Sequence, residues 1–200
     1  MKEPQNRESL EELPVDIFGY IFHPASPRFV GQSGKDTLSL LASTAKEKAG
    51  VFVNAQLETI SVFQKQFGLT HAQLHGDESP DFCLRVRQLS LQIIKVFRVI
   101  EVSDLSVVHD YIDTADYFLF DTRSIEPGGT GKKFDWKILD AYRLEVPFFL
   151  SGGIGPEDAG AILKINHPSL WGLDLNSGFE IRPGMKDPQK LKYFLDQLEP

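Results

Sequence analysis

The hydrophobic residues of this chain come in short apolar runs, separated by longer segments of mixed polarity. Short runs that are apolar throughout are typical of strands buried on both faces of a parallel sheet. The pattern predicts seven such strands, at Ile17–Phe22, Gly50–Val53, His71–Leu74, Ile93–Arg98, Tyr117–Asp121, Phe148–Ser151 and Trp171–Asp174.

Helices are predicted between these strands, which gives the strand–helix alternation of a parallel α/β fold. The eight predicted helices are Pro4–Leu13, Lys35–Lys48, Leu57–Phe67, Pro80–Leu89, Val107–Tyr111, Trp136–Tyr142, Pro156–Ile165 and Pro188–Gln197. Since no linker or low-complexity tract interrupts the alternation, we expect residues 1–200 to form a single domain.

The numbers of predicted strands and helices do not match those of a closed (β/α)8 barrel. Eight helices accompany seven strands, and the chain opens with the helix Pro4–Leu13, where a barrel opens with a strand. An open sheet would leave unpaired backbone N–H and C=O groups at its edges. Either the fold is not a closed barrel, or roughly five residues of a first strand are missing before Met1.

Composition narrows the class of protein. The hydrophobic content of 42% and charged content of 24% are ordinary for a soluble domain, and a net charge of −7 argues against nucleic-acid binding. No apolar run approaches the roughly 18 residues of a membrane span, and the N-terminus has no signal-peptide core, so we expect a cytoplasmic protein. A single cysteine, Cys83, excludes a disulfide framework and a multi-cysteine zinc site; we predict a buried structural thiol.

Two loops near the C-terminus carry the strongest chemical signal. The strand ending at Ser151 runs into Gly152 and Gly153, and the strand ending at Asp174 runs into residues 175–178, which include Asn176, Ser177 and Gly178. Glycines let the backbone approach a ligand, and their N–H groups can point at an anion. Loops after the last two strands of a barrel form a split phosphate site. A phosphorylated small molecule is the predicted ligand.

Three side chains at predicted strand ends are candidates for chemistry. Arg28 follows two prolines on a loop and suits a carboxylate, or is a solvated surface arginine. His75 could titrate or donate a proton near neutral pH, or be a hydrogen-bonded structural histidine at the barrel rim. Asp121 ends a very apolar strand, so a raised pKa would make it a general acid; the alternative is an aspartate that caps a turn.

Five motifs in order make the chain resemble one known family. They are Gly-Tyr-Ile-Phe-His-Pro-x-Ser-Pro-Arg, Gln-Leu-His-Gly-Asp-Glu, Phe-Asp-Thr followed by Gly-Gly-Thr-Gly-Lys-x-Phe-Asp-Trp, Leu-Ser-Gly-Gly-Ile, and Asp-Leu-Asn-Ser-Gly-Phe-Glu with a later Pro-Gly-x-Lys-Asp. Together they resemble phosphoribosylanthranilate isomerase of tryptophan biosynthesis. The resemblance implies a (β/α)8 TIM barrel and an Amadori rearrangement of N-(5-phosphoribosyl)anthranilate, with no cofactor and no metal.

The resemblance also implies roles for individual residues. Asp121 matches the general acid, and Arg28 matches the arginine near the anthranilate carboxylate. His75 and Gly131 match substrate-binding positions, and Gly131 lies in a glycine-rich loop that could close over the site. The phosphate-binding positions are matched by Gly152, Gly153, Asn176, Ser177 and Gly178.

One departure from the family pattern concerns the general base. The family opens with a strand ending in Lys-x-Cys-Gly, whose cysteine is the base, and this sequence contains no such motif. We therefore expect a TIM barrel N-terminally truncated so that its first strand is missing, an unidentified base, and an impaired chain. We also expect the reading frame upstream of Met1 to encode about ten residues ending in Cys-Gly.

Two other functions remain open on the sequence alone. One is another phosphosugar barrel enzyme, such as an indole-glycerol-phosphate synthase or a histidine-pathway sugar isomerase, which resembles this chain only in the last two loops. The other is a non-catalytic phosphate-binding barrel, supported by the missing cysteine. Nothing in the sequence marks an interface, so we expect a monomer.

Overall fold

The chain folds around a curled sheet of parallel strands, in a computed structural model that describes residues 1–121 and 136–198. Each strand pairs with the strands that precede and follow it in the chain, so the order in the sheet is the order in the sequence. The strands are Ile17–Ile21 (β1), Glu47–Phe52 (β2), His71–Leu74 (β3), Gln92–Arg98 (β4), Tyr117–Asp121 (β5), Phe148–Ser151 (β6) and Leu170–Leu173 (β7).

Helices pack against the outside of this sheet. The α-helices are Pro4–Glu8 (α1), Lys35–Ala42 (α2), Leu57–Phe67 (α3), Pro80–Arg87 (α4), Ala159–Ile162 (α5) and Pro188–Leu198 (α6). More tightly wound 3-10 helices occupy Val102–Tyr111, Trp136–Ala141, Pro156–Asp158 and Ser177–Phe179. In the part of the chain so described, no helix combines the length and the apolarity that crossing a membrane requires.

Side chains along each strand alternate between the two faces of the sheet. One face packs under the helices as the outer layer of the core, and the other lines the inside of the curled sheet. On β5, Phe118 and Phe120 are fully buried under the helices, whereas Tyr117, Leu119 and Asp121 point to the other face. The outer layer is rich in aromatic rings, which pack edge to face, tilted or stacked. This layer fixes the strands, and the period of two then directs every second side chain into the curl.

The sheet does not close within the described residues. β1 pairs with β2 and β7 pairs with β6, but β1 and β7 are not paired with each other. The nitrogen of Met1 donates to the carbonyl of Gly19 on the open edge of β1, at 3.0 Å. Both edges line one continuous cavity that runs through the curl.

The strands were predicted more accurately than the helices. All seven predicted strands are present, and β3, β5 and β6 have the predicted bounds. The helix predicted at Lys35–Lys48 is wrong beyond Ala42, because Ser43 leaves helical geometry and β2 begins at Glu47. The segments predicted as helices around Val107–Tyr111 and Trp136–Tyr142 are 3-10 helices.

A second, two-stranded sheet was not predicted. Glu180–Arg182 (β8) and Met185–Lys186 (β9) form an antiparallel hairpin after β7. Its Gly184 has a positive φ of 84°, a conformation that favours glycine in a tight turn. The side chain of Asn6 on α1 bonds both backbone groups of Lys186, its amide donating to the carbonyl and its oxygen accepting from the N–H, each at 2.8 Å. This pairing joins the start of the chain to the hairpin.

A buried ion pair supports the loop that follows β3. Lys95 on β4 and Glu78 lie 3.2 Å apart, and each side chain is only 3% exposed. Glu78 also accepts from the backbone N–H groups of Asn54 and Gly76, at 2.8 and 2.9 Å. Lys95 donates to the carbonyl of Gly76 at 2.7 Å. The pair therefore ties the loop bearing His75 to β4 and to the end of β2.

Replacing Lys95 by methionine is expected to lower the free energy of unfolding by about 3–5 kcal/mol, because Glu78 would keep a buried charge without its cation. Urea unfolding of Lys95→Met checks this. The control is Lys192→Met, which removes an exposed pair with Asp196 and is expected to change the free energy by no more than about 0.5 kcal/mol. Equal effects of the two variants would contradict the role of the buried pair.

Candidate active site

One cavity of about 1080 Å³ collects most of the predicted site residues. Its lining reaches the carboxyl ends of the strands, the end at which parallel barrels hold their ligands, and continues to the amino ends at Asp16 and Gln92. Of the candidates, the residues that line it are Arg28, His75, Asp121, Gly152, Gly153, Asn176 and Ser177. Gly178 lies beside them in the loop after β7, and Gly131 falls outside the described residues.

Asp121 and His75 form the polar centre of this cavity. Asp121 is the last residue of β5 and points inward, with its side chain 14% exposed. His75 follows β3, and its Nε2 lies 3.6 Å from Oδ2 of Asp121. Next to them on the inner face of the sheet, Ile94, Val96 and Leu119 form a small buried apolar cluster. The carboxyl and the imidazole thus stand beside an apolar cluster, where a proton donor is shielded from bulk water.

The loop after β6 has the backbone shape of an anion-binding turn. Gly152 and Gly153 have φ angles of 95° and 70°, which residues with a Cβ rarely adopt. Successive glycines in this region can turn backbone N–H groups toward an anion. Downstream, Asp158 accepts from the N–H of Gly155 at 2.8 Å and caps the helical turn that starts at Pro156.

The loop after β7 packs directly against the loop after β6. Ser151 donates to Asp174 at 3.0 Å, which joins the ends of the two strands. Gly178 lies so close to the carbonyl oxygen of Ile154 that a Cβ would collide with it. Only glycine permits this approach. The two loops therefore form one surface, as a split phosphate site requires.

Lys186 fixes the same loop from the other side. Its Nζ donates to the carbonyls of Leu175 and Asn176, at 3.0 and 2.9 Å, and to Oδ1 of Asn176 at 3.1 Å. Burial lowers the pKa of this ammonium, although the nearby carboxylates of Glu180 and Asp174 oppose the shift. Lys186 therefore acts as a brace within the hairpin and the loop.

Arg28 is held by a carboxylate that lies far away in the sequence. Its Nε donates to both oxygens of Glu180, at 2.9 and 3.0 Å, and its Nη2 donates to Oε2 at 2.5 Å. Burial opposes ionisation of Glu180, but Arg28 and Lys186 outweigh it, so the pKa of Glu180 lies below its usual value. The hydrogen bond that Arg28 donates to Glu180 raises the pKa of Arg28.

Three of the residues in this site had no predicted role. Asp174, Glu180 and Lys186 all lie within a motif that carried the family resemblance, but none of them was assigned a function. Their signal in the sequence is weak, because the hairpin that positions them was not predicted.

The chain's single cysteine lies elsewhere. Cys83 is fully buried in α4, and burial raises the pKa of its thiol to about 11. It neighbours Glu78 and Lys95 on the outer side of the sheet and does not line the cavity. The prediction of a buried thiol is confirmed.

Comparisons with known proteins agree with this geometry. A family model described as N-(5'phosphoribosyl)anthranilate (PRA) isomerase matches residues 2–197. The chain belongs to the phosphoribosylanthranilate isomerase family. A relative from Parabacteroides distasonis, named N-(5'-phosphoribosyl)anthranilate isomerase, is 44% identical over 203 residues, covering 99% of this chain and 90% of the relative.

Solved structures of the family share the fold. Phosphoribosyl anthranilate isomerase from Thermotoga maritima matches with a TM-score of 0.84 and 27% identity, over 100% of this chain and 95% of that one. A second, in complex with reduced 1-(o-carboxyphenylamino)-1-deoxyribulose 5-phosphate, has a TM-score of 0.76 and 26% identity, over 97% and 90%. The α/β fold and the membership of an isomerase family, predicted from the motifs, are confirmed.

Replacing Gly178 by alanine is expected to lower the free energy of unfolding by about 1–3 kcal/mol, because the new methyl group would push the two loops apart. Urea unfolding measures this. The matched control is Gly160→Ala in α5, where nothing lies within 4 Å of an added Cβ; it is expected to be neutral or to stabilise by up to about 1 kcal/mol. A Gly178→Ala protein as stable as the control would contradict the close packing of the loops.

Proposed function

We propose that this chain converts N-(5-phosphoribosyl)anthranilate into 1-(2-carboxyphenylamino)-1-deoxyribulose 5-phosphate, a step of tryptophan biosynthesis. The observation that carries the proposal is the placement of Asp121 inside a cavity that also holds Arg28 and the two glycine loops. A substrate with a carboxylate at one end, a phosphate at the other and a sugar between them matches this arrangement. The relative crystallised with the reduced carboxyphenylamino sugar phosphate supports the same ligand class.

Asp121 is proposed as the general acid that opens the sugar ring. Its carboxyl proton passes to the ring oxygen while the bond between C1 and that oxygen breaks, and the nitrogen lone pair forms the C1=N bond of a Schiff base. A base then removes the proton from C2, giving an enolamine that tautomerises to the ketone. The iminium accepts the electrons, so the chemistry needs no external oxidant or reductant.

The remaining site residues are proposed to bind the two ends of the substrate. Arg28 would bind the anthranilate carboxylate with its planar guanidinium. Backbone N–H groups of Gly152, Gly153 and Gly178 would bind the phosphate, together with the side chains of Asn176 and Ser177. His75 is proposed to contact the sugar next to Asp121. The role of Gly131 in closing the site, the monomeric state and the cytoplasmic location stay predictions.

We also propose that an eighth parallel strand belongs between β1 and β7. Both facing edges line the cavity and, within the described residues, neither pairs with another strand of the sheet, so a strand could be inserted there in place of the bond from the Met1 nitrogen to the Gly19 carbonyl. Such a strand would complete a TIM barrel and cover the apolar side chains now facing the opening, which include Leu173 on β7. On the family resemblance, its carboxyl end would bring the cysteine that takes the C2 proton.

The eighth strand can be tested by extending the chain at its N-terminus. A protein extended by a five-residue apolar strand and Cys-Gly is expected to unfold at a higher temperature, because several aliphatic side chains worth roughly 1.5–3 kcal/mol each become buried. Its turnover is expected to exceed that of the 200 residues by about 10²–10⁴-fold, the usual contribution of a general base. A Cys→Ala version of the extension should keep the stability and lose the rate. Full activity of the 200 residues alone would contradict this proposal.

Asp121→Asn is expected to lower kcat by about 10²–10⁴-fold, because the amide cannot protonate the ring oxygen. Isomerase assays on the extended chain measure this, with calorimetry to verify that the reduced product still binds. Asp113→Asn, at an exposed aspartate after the 3-10 helix Val102–Tyr111, is the matched control and should leave kcat unchanged. Wild-type turnover that survives in Asp121→Asn would refute the assignment of the acid.

A further inference from the structure

The contact between Arg28 and Glu180 uses one defined edge of the guanidinium. Nε and Nη2 both donate to the carboxylate, which is the side-on fork geometry of an arginine–carboxylate pair. In the part of the chain that the structure describes, no acceptor bonds Nη1 of Arg28. The end of the guanidinium formed by Nη1 and Nη2 is therefore left for a second planar anion, and Arg28 lines the cavity.

Glu180 is the fixed member of this pair. Its side chain is 5% exposed, against 20% for Arg28. Glu180 also accepts from the backbone N–H of Gly184 at 3.1 Å, and Nζ of Lys186 lies 3.6 Å from Oε1. Arg28, by contrast, stands on a loop after β1, and its side-chain bonds within the described residues go to Glu180 alone. The carboxylate therefore sets where the guanidinium lies.

The same hairpin supports the loop after β7, one of the two loops proposed to bind the phosphate. Glu180 begins β8 two residues after Gly178, and Lys186 on β9 holds the backbone of Asn176. One short element thus contacts both the arginine and the loop after β7. The distance between a bound carboxylate and a bound phosphate then depends on the hairpin rather than on either loop alone.

We propose that Glu180 is a positioning residue that makes the site selective for an aryl amine carrying a carboxylate. It presents the Nη1–Nη2 end of Arg28 to the ligand and limits the rotamers of that side chain. The inference rests on the proposed function, since it assigns Arg28 to the anthranilate end of the substrate.

The test measures the affinity of two probes by calorimetry. One is reduced 1-(o-carboxyphenylamino)-1-deoxyribulose 5-phosphate, and the other is the same compound without its carboxyl group. Glu180→Gln is expected to lower the affinity for the carboxylated probe about tenfold, which is the range expected when a hydrogen bond to a charged group is lost. Its affinity for the probe without the carboxyl group is expected to change less than twofold. Glu12→Gln, at an exposed glutamate, is the control and should change neither.

A double-mutant cycle tests whether Glu180 acts through Arg28. Arg28→Lys removes the planar guanidinium fork, so it is also expected to lower the affinity for the carboxylated probe. Adding Glu180→Gln to Arg28→Lys should cost nothing more, because the group that Glu180 positions is already gone. Additive effects, equal weakening of both probes, or tighter binding by Glu180→Gln would each overturn the proposal.

Failure of the proposed function would look different. In that case the wild-type protein would bind neither probe. The positioning claim is then measured on the ligand-free protein, through the Nε–H signal of Arg28 in nitrogen-15 NMR. This proton is expected to exchange slowly with water in the wild type and at least tenfold faster in Glu180→Gln, since its acceptor would be weakened. Equal exchange rates would overturn the positioning role whatever the ligand is.

Discussion

Parallel pairing of consecutive strands is the constraint on which the rest of this structure depends. Because all seven strands run the same way, their carboxyl ends meet at one rim, and residues far apart in sequence become neighbours there. Asp121 and His75 belong to strands separated by β4 in the sheet, yet their side chains lie 3.6 Å apart. The period of two along each strand then decides that these two side chains point inward.

The β8–β9 hairpin adds a second level of organisation at that rim. Parallel strands alone place the loops near each other but do not fix the orientation of a long side chain such as Arg28. Glu180 supplies this orientation across 152 residues of sequence, and Lys186 braces the neighbouring loop. A site that binds both ends of one ligand must hold its two binding groups at a constant separation. The hairpin contacts both Arg28 and the loop after β7, and so links these two groups.

Local patterns predicted the parts of the molecule that local forces determine. The apolar runs predicted all seven strands, and the paired glycines Gly152 and Gly153 marked a loop in which the backbone could approach a ligand. The hairpin was missed because its strands are very short and partly exposed, so they lack a hydrophobic run. The Arg28–Glu180 pair was missed for another reason: no local signal reports a partner so distant in sequence.

The central claim is that one cavity binds the carboxylate and the phosphate of a single aryl amine sugar phosphate on either side of Asp121. The most direct test is a crystal structure with reduced 1-(o-carboxyphenylamino)-1-deoxyribulose 5-phosphate. We expect the phosphate on the backbone of Gly152, Gly153 and Gly178, the ring carboxylate on Arg28, and the sugar within hydrogen-bond distance of the Asp121 carboxyl. A ligand whose phosphate lies away from both loops, or whose carboxylate avoids Arg28, would contradict the account.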